Sequence, residues 1–428
     1  MAEELTSGEL TNRQRIGAVV AGSAGNLIEW FDFYVYAFLA LYFAPLFFPE
    51  GDRTAQLLNV AGIYAIGFLV RPLGGWAFGR YADRSGRRRA IVLSILMMGV
   101  GSLLIAIVPT YEQVGVMAPA LLLLSRILQG LSTGGQYGTA ATYLAEVASD
   151  ERRGFFASFQ FVTLIGGQLL ALLALLLLQL TLTDAQISAW GWRIPFAVGA
   201  VMAASVIFFR QAMHDSYGEV GLKSPDSGTL SSLAKHPREF MIVLAMTAGG
   251  AVTLYTFTTY MQKFLVNTGG MDTRSVSYLM TGAILVFMFV QPVIGNLSDR
   301  TGRRLCLLIF SGVMTVSAVP LMTALETPGS AWHAFALVAF ALVTLSFYTS
   351  ISGLFKSELF PPHVRALGVS LAHAIAAAIF GGTAEYFALL AKQYGHERLF
   401  YWYVAAVCAV AFFTALMMKE PRREKMME

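Results

Sequence analysis

Apolar positions along this chain do not alternate with polar ones. They run on for about twenty residues at a time before a charged or glycine-rich interruption, and they do so over the whole length. Alternation over about ten residues would mark a barrel strand, whereas unbroken runs of this length mark helices, which satisfy their own backbone hydrogen bonds in lipid. Twelve spans are expected, at about 17–47, 57–79, 90–109, 117–146, 155–181, 193–209, 240–266, 275–296, 304–324, 331–356, 366–391 and 398–418. The longest polar stretch, 210–239, contains Lys223-Ser224-Pro225-Asp226-Ser227-Gly228 and divides the spans six and six. It reads as a linker between an N-terminal six-helix bundle, 1–209, and a C-terminal one, 240–428.

Composition agrees with an all-α integral membrane protein. The 428 residues are 56% hydrophobic and 13% charged, with a mean hydropathy of +0.61, where a soluble domain carries about 25% charged residues. Met1 to Arg15 is polar and the apolar run after it lacks a small-residue cleavage site, so the first helix is expected to stay attached. With both termini placed inside, the cytoplasmic segments hold 21 Lys and Arg and the outer loops 5, the bias of the positive-inside rule. The pI near 9.0 is then a matter of topology, and nucleic-acid binding is not expected. Cys306 and Cys408 fall inside spans and read as core residues, not as a disulfide. The six histidines are scattered, no metal-ligand spacing occurs, and neither a nucleotide-binding loop nor a nucleophile with its base is present. Neither an enzyme nor a cofactor or metal is expected.

Two motifs recur at nearly one offset. Gly79-Arg80-Tyr81-Ala82-Asp83-Arg84-Ser85-Gly86-Arg87-Arg88 follows the second span and Gly295-Asn296-Leu297-Ser298-Asp299-Arg300-Thr301-Gly302-Arg303-Arg304 the eighth; Glu146 and Arg153 follow the fourth span, and Glu358 and Arg365 the tenth. This is a parallel duplication of six spans, as in transporters whose halves rock about a midplane site. Acidic and basic residues at matched helix ends can latch neighbouring helices through charged hydrogen bonds, which makes Asp83, Arg84, Arg87, Glu146, Arg153, Asp299, Arg300, Arg303, Glu358 and Arg365 candidate conformational latches.

The paired Gly-x-x-x-Asp-Arg-x-Gly-Arg-Arg loops resemble the signature of the major facilitator superfamily, whose fold is two six-helix bundles. Further stretches narrow the resemblance: Gly25-Asn26-x-x-Glu29-Trp30-Phe31-Asp32-Phe33, Phe68-Leu69-Val70-Arg71-Pro72-Leu73-Gly74-Gly75, Gln129-Gly130-Leu131-Ser132-Thr133-Gly134-Gly135 and Trp190-Gly191-Trp192-Arg193-Ile194-Pro195-Phe196. They are similar to the metabolite:proton symporter branch. Tyr255 to Lys263, Ser346 to Gly353, Phe155 to Gln168 and Phe380 to Tyr386 are similar to its bacterial alpha-ketoglutarate (2-oxoglutarate) permeases. One departure stands out, since Gly134-Gly135 is followed by Gln136 where the branch usually has Glu, which leaves any proton-coupling role for that position in doubt.

A charge at the centre of a span costs about 2.5 to 3.5 kcal/mol on insertion scales and calls for a partner or a wet cavity. Arg71, Arg126 and Lys263 are buried cations suited to a dicarboxylate, with Gln168, Tyr36, Tyr255 and Tyr348 as further candidate contacts. Each has a plainer alternative, in packing, gating or an interfacial belt, and Lys263 and Glu385 sit at similar depths and can simply pair. Lys356 is expected to snorkel to the cytoplasmic interface, and His373 to be a hydrogen-bonded packing residue. Glu29 and Asp32, three residues apart on one face of the first helix, are candidate proton carriers together with Glu385; the alternative is that they only neutralise arginines.

The resemblance implies proton-coupled symport of a small anionic metabolite, alpha-ketoglutarate before others, by a monomer in the bacterial inner membrane. Alternatives are a citrate or other organic-anion symporter, an osmolyte (proline or betaine) symporter, and a transporter-like nutrient receptor.

Overall fold

The computed structural model of the chain describes residues 12–85, 87–133, 152–212, 230–361 and 363–420. Gln136 and Glu146, most of the expected linker and the end of the fourth span therefore lie outside the described residues, as do the side chains of Asp83, Arg84 and Arg87.

The principal helices are α1 (Asn12–Phe47), α2 (Arg53–Leu69), α3 (Arg71–Ser85), α4 (Arg87–Ile107), α5 (Met117–Thr133), α6 (Arg153–Thr181), α7 (Ile194–Ala212), α8 (Pro237–Tyr255), α9 (Met261–Asn267), α10 (Thr273–Thr301), α11 (Arg303–Glu326), α12 (Ala331–Thr349), α13 (Ser352–Leu359), α14 (Arg365–Ala376), α15 (Ala384–Gln393) and α16 (Glu397–Met417). Every one of the twelve expected spans is helical within the described residues. Four are interrupted where hydropathy is continuous: α2 gives way to α3 at Val70, α12 to α13 at Ser350 and Ile351, and π-helical segments Thr256–Tyr260 and Ala377–Gly382 join α8 to α9 and α14 to α15. A π segment inserts a residue into a helical turn and often marks a functional position. With helices joined across these interruptions counted as one, nine segments among the described residues are long and apolar enough to cross a membrane.

Helix ends follow from short polar side chains at the turns. Asp52 accepts from Ala55 N at 2.8 Å, Asp272 from Arg274 N and Ser275 N, and Ser330 from His333 N, each satisfying first-turn N–H groups. α1 packs on α6, α4 on α5 and α7, α11 on α16, α12 on α10, and α8 on α14 and α16. Two seams join the N-terminal set to the C-terminal set: α6 against α10, and α2–α3 against α14–α15. The duplicated motifs relate these seams, since the second and eighth spans and the fifth and eleventh are counterparts.

At the first seam the backbones touch. A Cβ on Gly154 would lie 2.4 Å from the Gly295 carbonyl oxygen, and one on Gly295 would lie 2.5 Å from that of Gly154, the small-residue crossing that lets membrane helices approach closely. Large aromatics are fully buried in the core: Tyr34, Tyr36, Phe38, Phe43, Phe47, Phe68, Trp192 and Tyr260.

Candidate functional site

The polar residues of the core form three clusters along the inter-half space. The face that carries the Asp299–Arg304 loop is referred to as the arginine-rich face.

The first cluster lies in the N-terminal set. Arg126, on α5, is 1% exposed; its Nη1 donates to Gln129 Oε1 at 2.6 Å. Gln129 Nε2 donates onward to Asp32 Oδ2 at 2.5 Å, and Ser102 on α4 donates to Asp32 Oδ1 at 2.5 Å. An amide thus stands between carboxylate and guanidinium. The Arg126 Nε and Nη2 donors have no hydrogen-bond partner, while the guanidinium carbon lies 4.4 Å from the Tyr36 ring centre, 4.7 Å from Phe33 and 5.3 Å from Tyr64, in cation–π range. Arg71, at the start of α3, covers Phe33 from 4.3 Å and Phe68 from 3.9 Å. Phe33 therefore separates two guanidinium groups.

Glu29 and Asp32 do not serve a common partner. Glu29 lies in the field of Arg71, with Oε2 unpartnered; Asp32 turns toward α4, α5 and α7. Three residues is 300° of helix, so side chains on one broad face still diverge by about 60°.

The second cluster answers whether Lys263 and Glu385 pair. They do: Nζ to Oε1 is 2.7 Å, with both side chains buried, and Glu385 Oε2 keeps no partner. The pair ties α9 to α15 and lies toward the face opposite the arginine-rich one. Beyond it Tyr260 and Thr268 donate to Glu397 Oε1 at 3.0 and 2.7 Å, and Lys392 stands 3.4 Å from Glu397 Oε2. Between the halves, Asn267 donates to Thr54 at 3.3 Å and Arg274 sits 3.7 Å from Asp184.

The third cluster corrects the reading of Lys356. It does not snorkel: it is 0% exposed, its Nζ is 3.1 Å from Nδ1 of the part-buried His373, and the Tyr348 ring centre is 5.5 Å away. Counting residues from the span end placed it near an interface, but α13 directs the side chain inward. His373 is hydrogen-bonded, as expected.

Of the remaining candidates, Gln168 is 0% exposed, and neither its amide nitrogen nor its amide oxygen has a hydrogen-bond partner. Tyr36 donates its hydroxyl to the Val60 carbonyl at 3.1 Å, so it presents its ring and not its hydroxyl to Arg126. Tyr255 packs edge-on against Phe68 at 5.1 Å across the second seam, with Arg71 and Tyr34 beside it. Tyr348 packs on Phe310. Gln129, Ser102 and Phe33 were not singled out from sequence; polarity in mid-span was the available signal for the first two, and for Phe33 there was none.

The latch candidates divide. Asp299 Oδ1 and Oδ2 accept from the N–H groups of Gly154 and Phe155 at 2.8 and 3.1 Å. A carboxylate of one half therefore caps the first turn of α6 in the other, where the helix terminus favours negative charge. Arg303 holds Asp299 at 3.0 Å and stands 3.7 Å from Glu358, whose surroundings include Arg153. Arg365 donates to the Phe360 carbonyl at 3.3 Å. Arg300 is exposed and stands outside this cluster. At the counterpart seam α3 packs against α14.

Residues 23–384 match the Major Facilitator Superfamily. The chain belongs to that family. It is 54% identical to the alpha-ketoglutarate permease of Escherichia coli (strain K12) over 415 residues, covering 97% of this chain and 96% of that one. It is 32% identical to the citrate-proton symporter of Salmonella typhi, covering 95% of each chain. It is 29% identical to the proline/betaine transporter of Escherichia coli (strain K12), covering 94% of this chain and 83% of that one. Among solved structures, the xylose transporter XylE from E. coli in a partially occluded inward-open conformation superposes with a TM-score of 0.75 at 18% identity, covering 95% of this chain and 98% of that one. That likeness is one of fold: two six-helix bundles.

Proposed function

We propose that this superfamily member is a secondary active transporter that carries a dicarboxylate, alpha-ketoglutarate before others, into the cytoplasm together with protons by alternating access of its two halves. The protein is a transporter and not an enzyme, in keeping with its relatives, and alpha-ketoglutarate is the substrate named for the relative at 54% identity. The observation that carries the reading is the pair of arginines on Phe33: two guanidinium groups at the meeting of the halves, one with two donors unpartnered, suit a ligand with two anionic ends. Asp32, hydrogen-bonded to Ser102 and Gln129 and one amide away from Arg126, is the preferred proton carrier, with Glu29 second. A proton on Asp32 alters what Gln129 donates and hence what holds Arg126.

The reading places the arginine-rich face and both termini in the cytoplasm of a bacterium, with the chain acting as a monomer in the inner membrane through bundles 1–209 and 240–428 and linker 210–239. The Asp299 cap on α6 then acts as the cytoplasmic latch between the halves, while the Lys263–Glu385 pair ties α9 to α15 within the C-terminal half on the outer side.

Uptake into proteoliposomes tests this. Labelled alpha-ketoglutarate is expected to accumulate under an imposed inward proton gradient, with unlabelled succinate or malate competing better than citrate and betaine not at all. Saturable binding without flux would sink the transport reading, and stronger competition by citrate or betaine would move the substrate to one of those classes.

A further inference from the structure

The inner pole of the core contains more basic groups than the arginines alone. Lys356 lies on α13, just past the break at Ser350 and Ile351, with its ammonium group 3.1 Å from His373 Nδ1 on α14. When Lys356 carries its proton it has donors only, and Nδ1 of His373 is then the acceptor, with any ring proton on Nε2. His373 in turn lies in the field of Arg71 across the second seam, where Phe68 presses against Gly382 and Tyr255 against Gly381. Arg71, Lys356 and His373 thus converge from three helices and both halves.

The core accordingly has two poles with the Phe33 ring between them. Arg126, Tyr36 and Tyr64 form one, with Glu385 of the Lys263 pair in the field of both tyrosines; Arg71, Tyr255, His373 and Lys356 form the other. A molecule with a carboxylate at each end and an apolar middle matches that order of groups.

We propose that Lys356, positioned by His373, is the contact that the C-terminal half offers to the second carboxylate of the substrate, so that the dicarboxylate reaches from Arg126 to the pole of Arg71 and Lys356. The proposal rests on the organic-anion transport reading above. It makes Lys356 the residue that separates diacids from monoacids, because a monoacid fills one pole only.

The test is counterflow of labelled alpha-ketoglutarate by the full-length protein in proteoliposomes. Lys356→Met is expected to raise half-saturation for alpha-ketoglutarate and succinate by roughly thirtyfold, the effect of truncating one side of a buried charge pair, while maximal exchange stays within about threefold and competition by the monoacid 2-oxobutyrate is unchanged. His373→Gln, which keeps an acceptor for the ammonium, is expected to give a rise of about threefold to tenfold. Unchanged half-saturation in Lys356→Met, or an equal loss for diacids and 2-oxobutyrate, overturns the proposal. If Lys356→Met does not reach the membrane, Lys356→Arg decides: the longer side chain is expected to shift the preferred diacid in the series malonate, succinate, glutarate toward the shorter members, and an unchanged ranking overturns it. Wild-type protein that exchanges no diacid would instead defeat the transport reading itself.

Discussion

The two halves handle their buried charges differently. In the N-terminal set the carboxylate and guanidinium are held apart by an amide: Asp32 to Gln129 to Arg126, at 2.5 and 2.6 Å. In the C-terminal set Lys263 and Glu385 meet directly at 2.7 Å. A direct buried pair neutralises itself and resists separation, because each ion left alone is strongly penalised. An interposed amide leaves the cation partly unsatisfied, with two donors open to a ligand, and leaves the acid responsive to protonation. The first arrangement suits binding and coupling, the second a fixed tie between α9 and α15.

Five substitutions are ways to break this contrast. Arg126→Ala is expected to abolish alpha-ketoglutarate binding and counterflow, weakening affinity by roughly a hundredfold or more, since a carboxylate would be buried against no counter-charge; exchange at normal affinity would show that the guanidinium is not a clamp. Lys263→Met alone should destabilise the purified protein by about 3 to 5 kcal/mol, and adding Glu385→Leu should recover most of it, as removing both ions of a buried pair is far less harmful than removing one. Thermal unfolding of the two variants checks this, and equal losses would mean that the pair is not a unit. Asp32→Asn is expected to keep exchange near wild type but to lose accumulation under a proton gradient; a variant that still concentrates substrate removes Asp32 as the obligatory carrier. The smallest effect is assigned to Gly199→Ala. Its Cβ would lie 2.6 Å from Asp32 Oδ1, and crowding of this kind costs about 1 to 3 kcal/mol. A modest loss of stability with reduced coupling is expected, whereas an unaltered proton-to-substrate ratio would mean that the carboxylate position tolerates displacement.

The spans and the internal duplication were legible because run length and repeat offset are one-dimensional properties. The ionic residues of the core were legible too, since a charge inside an apolar run stands out. Their partners were not: Gln129 and Ser102 reach Asp32 from 97 and 70 positions away, and only packing brings them together. The Lys263–Glu385 pair was anticipated as one of two options because depth along a span can be counted. Lys356 was misplaced because depth says nothing about which way a side chain points. The duplicated loop motif led to Asp299, but its partners on α6 are backbone N–H groups, which leave no mark in a sequence. Continuous hydropathy likewise runs straight through the π segments.

The π segment between α14 and α15 changes which residues face the same neighbours. His373 and Glu385 are twelve positions apart, and at about 100° per residue an unbroken α-helix would set them about 120° apart around its axis. One inserted residue removes about 100° of that, leaving the two nearly in line. A single helix can then present His373 to Lys356 at one level and Glu385 to Lys263 at another, toward the same interior. Deleting one residue from 377–382 would turn α15 by about a quarter revolution and face Glu385 away from its lysine, so the spacing of this stretch constrains the protein as firmly as the identity of the charged residues on either side of it.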